Sequence, residues 1–188
     1  MRKSSFDGHP PGQTPSGWTC GVTGSGTGKW QVEADAQAPS PPNVLTQRGR
    51  ADFPWCIQEG ALAENGSVAV SFKPLSGKND QAGGVVWRWK GPDTYYVARG
   101  NALENNVSLY YVSRGIRHTI KYQTAPVPLG VWHRLEVRFQ GERIQVFLDG
   151  KSYIDLSDRN IAGSGKAGVW TKADSITSFD DFQLEVNN

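Results

Sequence analysis

Apolar and polar residues alternate with a period of two along most of this chain, and no segment sustains a helical period over a dozen residues. SVAVSF (67–72) sets Val68, Val70 and Phe72 against Ser67, Ala69 and Ser71. WHRLEVRF (132–139) sets Leu135, Val137 and Phe139 against Arg134, Glu136 and Arg138. Ile144, Val146 and Leu148 form a third such stripe, and Phe182, Leu184 and Val186 a fourth. Further strand-like runs are KWQVEA, GVVWRWK, TYYVAR, NVSLYYV, HTIKY and AGVWTK. Turn signals separate them: SGKND, KGPD, Gly115, Gly130, Gly141 and the Asp149-Gly150 hairpin pair. Ten or more short strands, each with one polar and one apolar face, predict an all-β fold of two antiparallel sheets packed face to face.

The bulk properties narrow the partners. With 188 residues the chain suits a single β-sandwich domain spanning 1–188, able to bury a substantial core. Its net charge of +2 comes from interspersed charges with no basic stripe, so nucleic acid is not expected as a partner. The longest apolar runs, such as VVW and YYV, are too short to span a bilayer, and no membrane role is expected. Met1-Arg2-Lys3 is basic, but SSFDGHPPGQ follows where a signal peptide needs an apolar region. Cys20 and Cys56 allow one disulfide at most, and a bridge and two small buried side chains are both open. A monomer is expected.

GVTGSGTGKW (21–30) invites a phosphate-loop reading and fails it. Thr23 stands where the first glycine belongs and Trp30 where a magnesium-binding hydroxyl belongs. Gly24, Gly26 and Gly28 also miss the dinucleotide spacing. The stretch reads as a surface loop between strands, its glycines supplying positive φ. The Pro-rich segments GHPPGQTPSG and AQAPSPPN read as loops wrapping the sandwich.

From AGGVVWRW (82–89) to the end, the chain resembles a concanavalin A-like jelly roll. The motifs are W-x-x-L-x-V-x-F, I-x-V-x-L-D-G, G-x-x-G-V-W and a terminal F-D-D-F, with FDG and GW near the start. The likeness is nearest to bacterial laminin-G-like and 3-keto-disaccharide-hydrolase-like domains. It implies an exported, periplasmic or extracellular protein, while the residues themselves leave a cytoplasmic one open. The fold hosts lectins, glycanases and modules without known activity alike, so function has to be argued from the site. Three classes follow: a carbohydrate- or glycoside-binding module, a hydrolase of a modified disaccharide, or a structural interaction domain.

Family 16 glucanases of this fold carry three acidic residues on one strand. Here Glu33 and Asp35 share a face, but Gln37 or Ala38 stands in the last position, and the stretch lies near the N-terminus. No G-x-S-x-G elbow exists. His118 and His133 read as strand-surface residues and His9 as a solvated loop residue, while Cys56 in FPWCIQ, Trp132 and Trp170 read as core.

Arginines among aromatic strands carry the binding expectation. If Trp87 and Tyr96 point into the sandwich, period two sends Arg88, Tyr95, Arg99 and Asn101 to the outer face, where Tyr110 can join them. On a curved sheet that face is a groove, and rings with Arg and Asn suit a sugar's apolar face and its hydroxyls. Glu104 to Val107 would rim it. The resemblance also implies a structural calcium ion tying the first strand to the last, held by Asp7, Asp180 and Asp181.

Overall fold

In the computed structural model, residues 1–187 are described, and among them there is no helix. Fifteen strands follow in chain order: β1 (Arg2–Ser4), β2 (Trp18–Thr27), β3 (Trp30–Ala34), β4 (Asn43–Gln47), β5 (Arg50–Ala63), β6 (Asn65–Ser76), β7 (Ala82–Gly91), β8 (Thr94–Asn101), β9 (Asn106–Ser113), β10 (Ile116–Thr124), β11 (His133–Gln140), β12 (Arg143–Leu148), β13 (Lys151–Ser157), β14 (Gly165–Trp170) and β15 (Ile176–Asn187). One sheet runs β13-β12-β11-β6-β15-β4-β3, with β1 pairing β15, and the other runs β10-β9-β8-β7-β14-β5-β2. All pairings are antiparallel, which gives the jelly-roll sandwich that the alternation predicts.

Val68, Val70, Phe72, Leu135, Val137, Phe139, Ile144, Val146, Leu148, Phe182 and Leu184 all enter the core between the sheets. Trp87 and Tyr96 stack there, ring centroids 5.3 Å apart. Val186 does not follow its stripe: it is 42% exposed where β15 runs past the core. Asp149 (φ 50°) and Gly150 (φ 81°) both turn left-handed, closing the hairpin between β12 and β13 as expected.

The N-terminal third holds more strand than its loop-like composition suggests. Gly21 to Thr27 lie within β2 and do not form a loop, although Gly24 and Gly26 do take positive φ, 88° and 100°. Gly21 has a packing reason as well: a Cβ there would stand 2.5 Å from the Trp55 ring. Cys20 faces Cys56 across the β2–β5 pair, and the two are bridged.

The seven-stranded sheet is strongly curled. β10 and β5 are separated in it by β9, β8, β7 and β14, so a flat sheet would hold them about 24 Å apart. Yet the Arg117 guanidinium from β10 lies 5.1 Å from the Phe53 ring centroid of β5. The outer face is therefore concave. It carries a second apolar cluster that includes Trp55, Val86, Tyr95, Val97, Tyr110 and Trp170, with Phe53 and Trp89 packed against it.

Candidate functional site

Strand register explains which side chains meet on the concave face. Tyr95, Val97, Arg99 and Asn101 of β8 pair with Val112, Tyr110, Ser108 and Asn106 of β9, and Gly84 of β7 sits opposite Arg99. A Cβ at Gly84 would press to 2.6 Å from the Ala98 carbonyl and 3.1 Å from the Arg99 Cβ, so a bare backbone is needed beneath Arg99.

Arg99 organises one end of this face. Its Nε and Nη2 donate to the Tyr110 hydroxyl at 3.0 and 2.8 Å, and Nη2 also donates to Glu104 Oε2 at 3.1 Å. Its Nη1 stands 3.7 Å from Asp80 Oδ1. Asn101 donates to the same Asp80 oxygen, and its own carbonyl oxygen accepts the backbone N–H groups of Leu103 and Glu104. Lys172 Nζ completes the group 3.3 Å from Asp80 Oδ2. Arg99 and Asp80 are each only 1% exposed, whereas Glu104 is 44% exposed. Burial works against the charge on Arg99, but the Tyr110 hydroxyl and Asp80 outweigh it and raise its pKa. Partial burial likewise opposes ionisation of Glu104, and the Arg99 guanidinium overcomes it, so Glu104 is held below the usual carboxylate range. Even so, Arg99 Nη1 is buried with no hydrogen-bond partner, and Asp80 Oδ2 has only the Lys172 ammonium beside it. A buried donor left without an acceptor is costly when desolvated, and a hydroxyl oxygen is the kind of group that satisfies it.

Four of the five residues expected in the groove, Tyr95, Arg99, Asn101 and Tyr110, do lie on this face, but as its buried floor, each at most 1% exposed. Tyr95 points away from the Arg99 group, its hydroxyl 2.9 Å from Thr23 Oγ1. Arg88 is elsewhere. A bulge between Trp87 and Gly91, with Arg88 at φ 46°, turns its side chain to the opposite face. There it donates to the carbonyls of Glu64, Gly141 and Ile161. The concave face presents to solvent Glu104, Tyr122 (52% exposed) and, in part, Lys172 and Arg117.

The carboxylates named for calcium lie away from this face, Asp180 and Asp181 on β15 of the other sheet and Asp7 in the connection after β1. Asp180 is fully buried, accepting the backbone N–H of Ser40 (2.7 Å) and of Asp181 (2.8 Å). Asp181 accepts the Ser40 hydroxyl at 2.6 Å, and Asp7 accepts the Asn43 N–H at 3.0 Å. The three thus converge on residues 40–43 as hydrogen-bond caps. Among the described residues, no three His, Cys, Asp or Glu side chains are placed to hold a metal ion together. The donor set does not fit a six- to eight-oxygen calcium shell.

Asp180 pays for this position in its titration. Burial, reinforced by the nearby Asp181 and Asp7 charges, pushes its carboxyl up to about 7 against the pull of the two N–H groups. In the unfolded chain the value is about 3.9, so between these limits the folded state holds the extra proton. Stability is therefore greatest at the acid end of that window and falls as pH rises through it. One proton gives a slope approaching about 1.4 kcal/mol per pH unit. Urea midpoints at pH 5 and pH 7 should differ in the parent, and Asp180→Asn should remove most of that difference. Equal midpoint shifts in both proteins would contradict this assignment.

The histidines and the partial glucanase motif contribute nothing to the concave face. His133, expected at the surface, is buried, its Nδ1 2.9 Å from Asp149 Oδ2 and its Nε2 2.9 Å from the Pro128 carbonyl oxygen. His118 is exposed and stacks on Tyr111. Glu33 forms a two-bond ion pair with Arg48 on β3, in the other sheet. Two cavities also lie away from the Arg99 group. One of about 450 Å³ lies between Ser67, Glu136, Arg138 and Gln145, with Arg138 paired to Glu136 at 2.7 Å. The other, about 190 Å³, adjoins Arg88 and Ile161. Volume alone marks neither cavity chemically.

The fold recurs in sugar-related proteins. A carbohydrate-binding module, CBM66 from Bacillus subtilis, superposes with a TM-score of 0.74 at 20% identity, over 90% of this chain and 95% of that one. A mixed-linkage-glucan GH16 protein from Bacteroides ovatus gives 0.65 at 10% identity, over 97% and 99%. The Bacillus licheniformis β-glucanase gives 0.57 at 13%, over 100% and 98%. No curated protein matches by sequence. These structures share the fold; family membership comes from the sequence match, which runs over residues 2–185. By that match the chain belongs to the 3-keto-alpha-glucoside-1,2-lyase-like domain family.

Proposed function

We propose that this domain binds a carbohydrate at the Arg99 end of its concave face. The observation that carries the reading is the buried Arg99–Asp80 pair, in which Arg99 Nη1 has no hydrogen-bond partner. They lie beneath a rim formed by Glu104, Lys172 and Tyr122. A saccharide supplies hydroxyls that donate and accept together, and an apolar ring face for the exposed Tyr122 phenol. Tyr122 is braced for this by Tyr110, whose ring meets it edge-on at 5.8 Å. The family and the folds it resembles point the same way, and the disulfide suits an exported protein in an oxidising compartment. Among the described residues no helix is long and apolar enough to cross a membrane.

Calorimetric titration of a glycan panel tests the reading. Tyr122→Ala and Glu104→Gln should each weaken the best ligand roughly tenfold, about 1.4 kcal/mol. Affinity unchanged in both variants would place the ligand elsewhere.

The family's name favours a second reading, an enzyme acting on a 3-keto-α-glucoside. Ionised and exposed, Glu104 is the carboxylate of this rim able to accept a proton, although Arg99 makes it a weak base. Chromatography of the same mixtures separates the classes: new products that Glu104→Gln abolishes mark an enzyme, and binding without products marks a module. Silence in both marks an interaction domain.

A further inference from the structure

Arg117 is the odd cation of the concave face. Its guanidinium lies 4.2 Å from the Tyr110 ring centroid and 5.1 Å from that of Phe53, bridging the curl from β10 to β5. Phe53 in turn stacks on Trp170, centroids 5.6 Å apart and planes within 14°. Together these side chains roof the floor and explain why Tyr110 and Trp170 are fully buried on an outer sheet face.

Charge accounting singles Arg117 out. Arg99 is paired with Asp80 and Glu104, and Lys172 with Asp80, so two cations meet two carboxylates. Asp174, nearby in sequence to Lys172, spends both oxygens on the backbone N–H groups of residues 78–80. Asp52 accepts the Ser25 N–H, and the exposed Asp93 lies against the Gly115 turn. Among the described residues no carboxylate comes within ion-pair distance of Arg117, and its Nη1 is buried without a hydrogen-bond partner. Aromatic faces hold such a cation in place but leave its planar fork of N–H donors unspent. That fork matches a trigonal or tetrahedral oxyanion, which accepts two parallel N–H bonds.

Resting on the carbohydrate reading, we infer that the ligand is an acidic saccharide, its carboxylate or sulfate group forked by Arg117 beside the Tyr122 platform. The sugar ring lies toward Glu104 and Lys172, and the oxyanion takes up the charge of Arg117, which no carboxylate among the described residues pairs. Arg117 then acts as the specificity determinant, and the neutral hydroxyl contacts at Arg99 and Asp80 are common to acidic and neutral sugars.

Matched pairs test this by calorimetry in low salt: glucuronate, galacturonate and mannuronate oligosaccharides, each against its carboxyl-reduced counterpart, with a sulfated oligosaccharide as a further arm. At least one acidic member should bind about tenfold tighter than its neutral partner. Arg117→Gln should erase that preference, read as the ratio of acidic to neutral affinity within each pair, and Arg117→Lys, which keeps the charge without the fork, should retain only part of it. A preference confined to the sulfated arm supports the site and identifies the oxyanion as a sulfate ester. Equal affinities within every pair, or a preference that survives Arg117→Gln, overturn the inference and leave the carbohydrate reading standing. Binding of no saccharide, acidic or neutral, overturns both.

Discussion

Replacing Arg88 by alanine is expected to destabilise the fold by about 3–5 kcal/mol, the largest single-residue effect anticipated here. The side chain is 3% exposed and, among the described residues, has no carboxylate partner. Its charge is spread instead over three carbonyl oxygens: Glu64 at 3.1 and 2.9 Å, Gly141 at 2.7 Å and Ile161 at 2.9 Å. Those carbonyls belong to three separate connections, β5–β6, β11–β12 and β13–β14, so one guanidinium ties together one end of the sandwich. Gly165 permits the arrangement, since a Cβ there would stand 2.4 Å from the Arg88 carbonyl carbon. Truncation would strand three acceptors and leave a void beside Phe139, whose ring lies 5.8 Å from the guanidinium carbon. Arg88→Lys should recover less than half of the loss, because an ammonium cannot reach three acceptors with a planar fork. Denaturant midpoints for both variants check this; a loss under about 1 kcal/mol in Arg88→Ala would show that the three connections hold without it.

Reducing the Cys20–Cys56 bridge is expected to cost about 2–4 kcal/mol. The bridge closes a loop with a sequence separation of 36 and pins the edge strand β2 to β5. That edge matters to the concave face, because Thr23 of β2 bonds the Tyr95 hydroxyl and accepts the Trp55 Nε1–H at 3.1 Å. Loosening β2 therefore frees two floor residues at once. Melting with and without a reductant, and of the Cys20→Ala/Cys56→Ala double variant, should show a drop of about 5–12 °C. An unchanged midpoint would mean that strand pairing alone secures β2.

The strand alternation made the sandwich and most of its core legible in the sequence, because period two maps directly onto an inner and an outer face. The same rule correctly sends Tyr95, Arg99, Asn101 and Tyr110 to one face. It fails wherever a bulge inserts a residue. The bulge at Trp87–Gly91 reverses Arg88, which counting places beside Arg99. Another between Thr119 and Lys121 brings Tyr122 to the face of Arg117, although counting separates them. A third, between Asp180 and Gln183, lets Phe179 and Phe182 both point inward and leaves Asp180 beneath the Ser40 backbone. The curl of the sheet was equally hidden: nothing local in IRHTIKY or FPWCIQ states that Arg117 and Phe53 touch across four strands. Asp80 and Lys172 lie in segments readable only as a turn and a strand end, and their convergence on Arg99 follows from the topology.

Backbone amide shifts on titrating the best-binding saccharide from the panel into isotope-labelled protein test the central claim most directly. Perturbations should concentrate at Glu104, Asn106, Tyr122 and Lys172, with those of Ser67, Glu136 and Gln145 on the other sheet unmoved. Shifts confined to that other sheet, with the Arg99 end silent, would contradict the account.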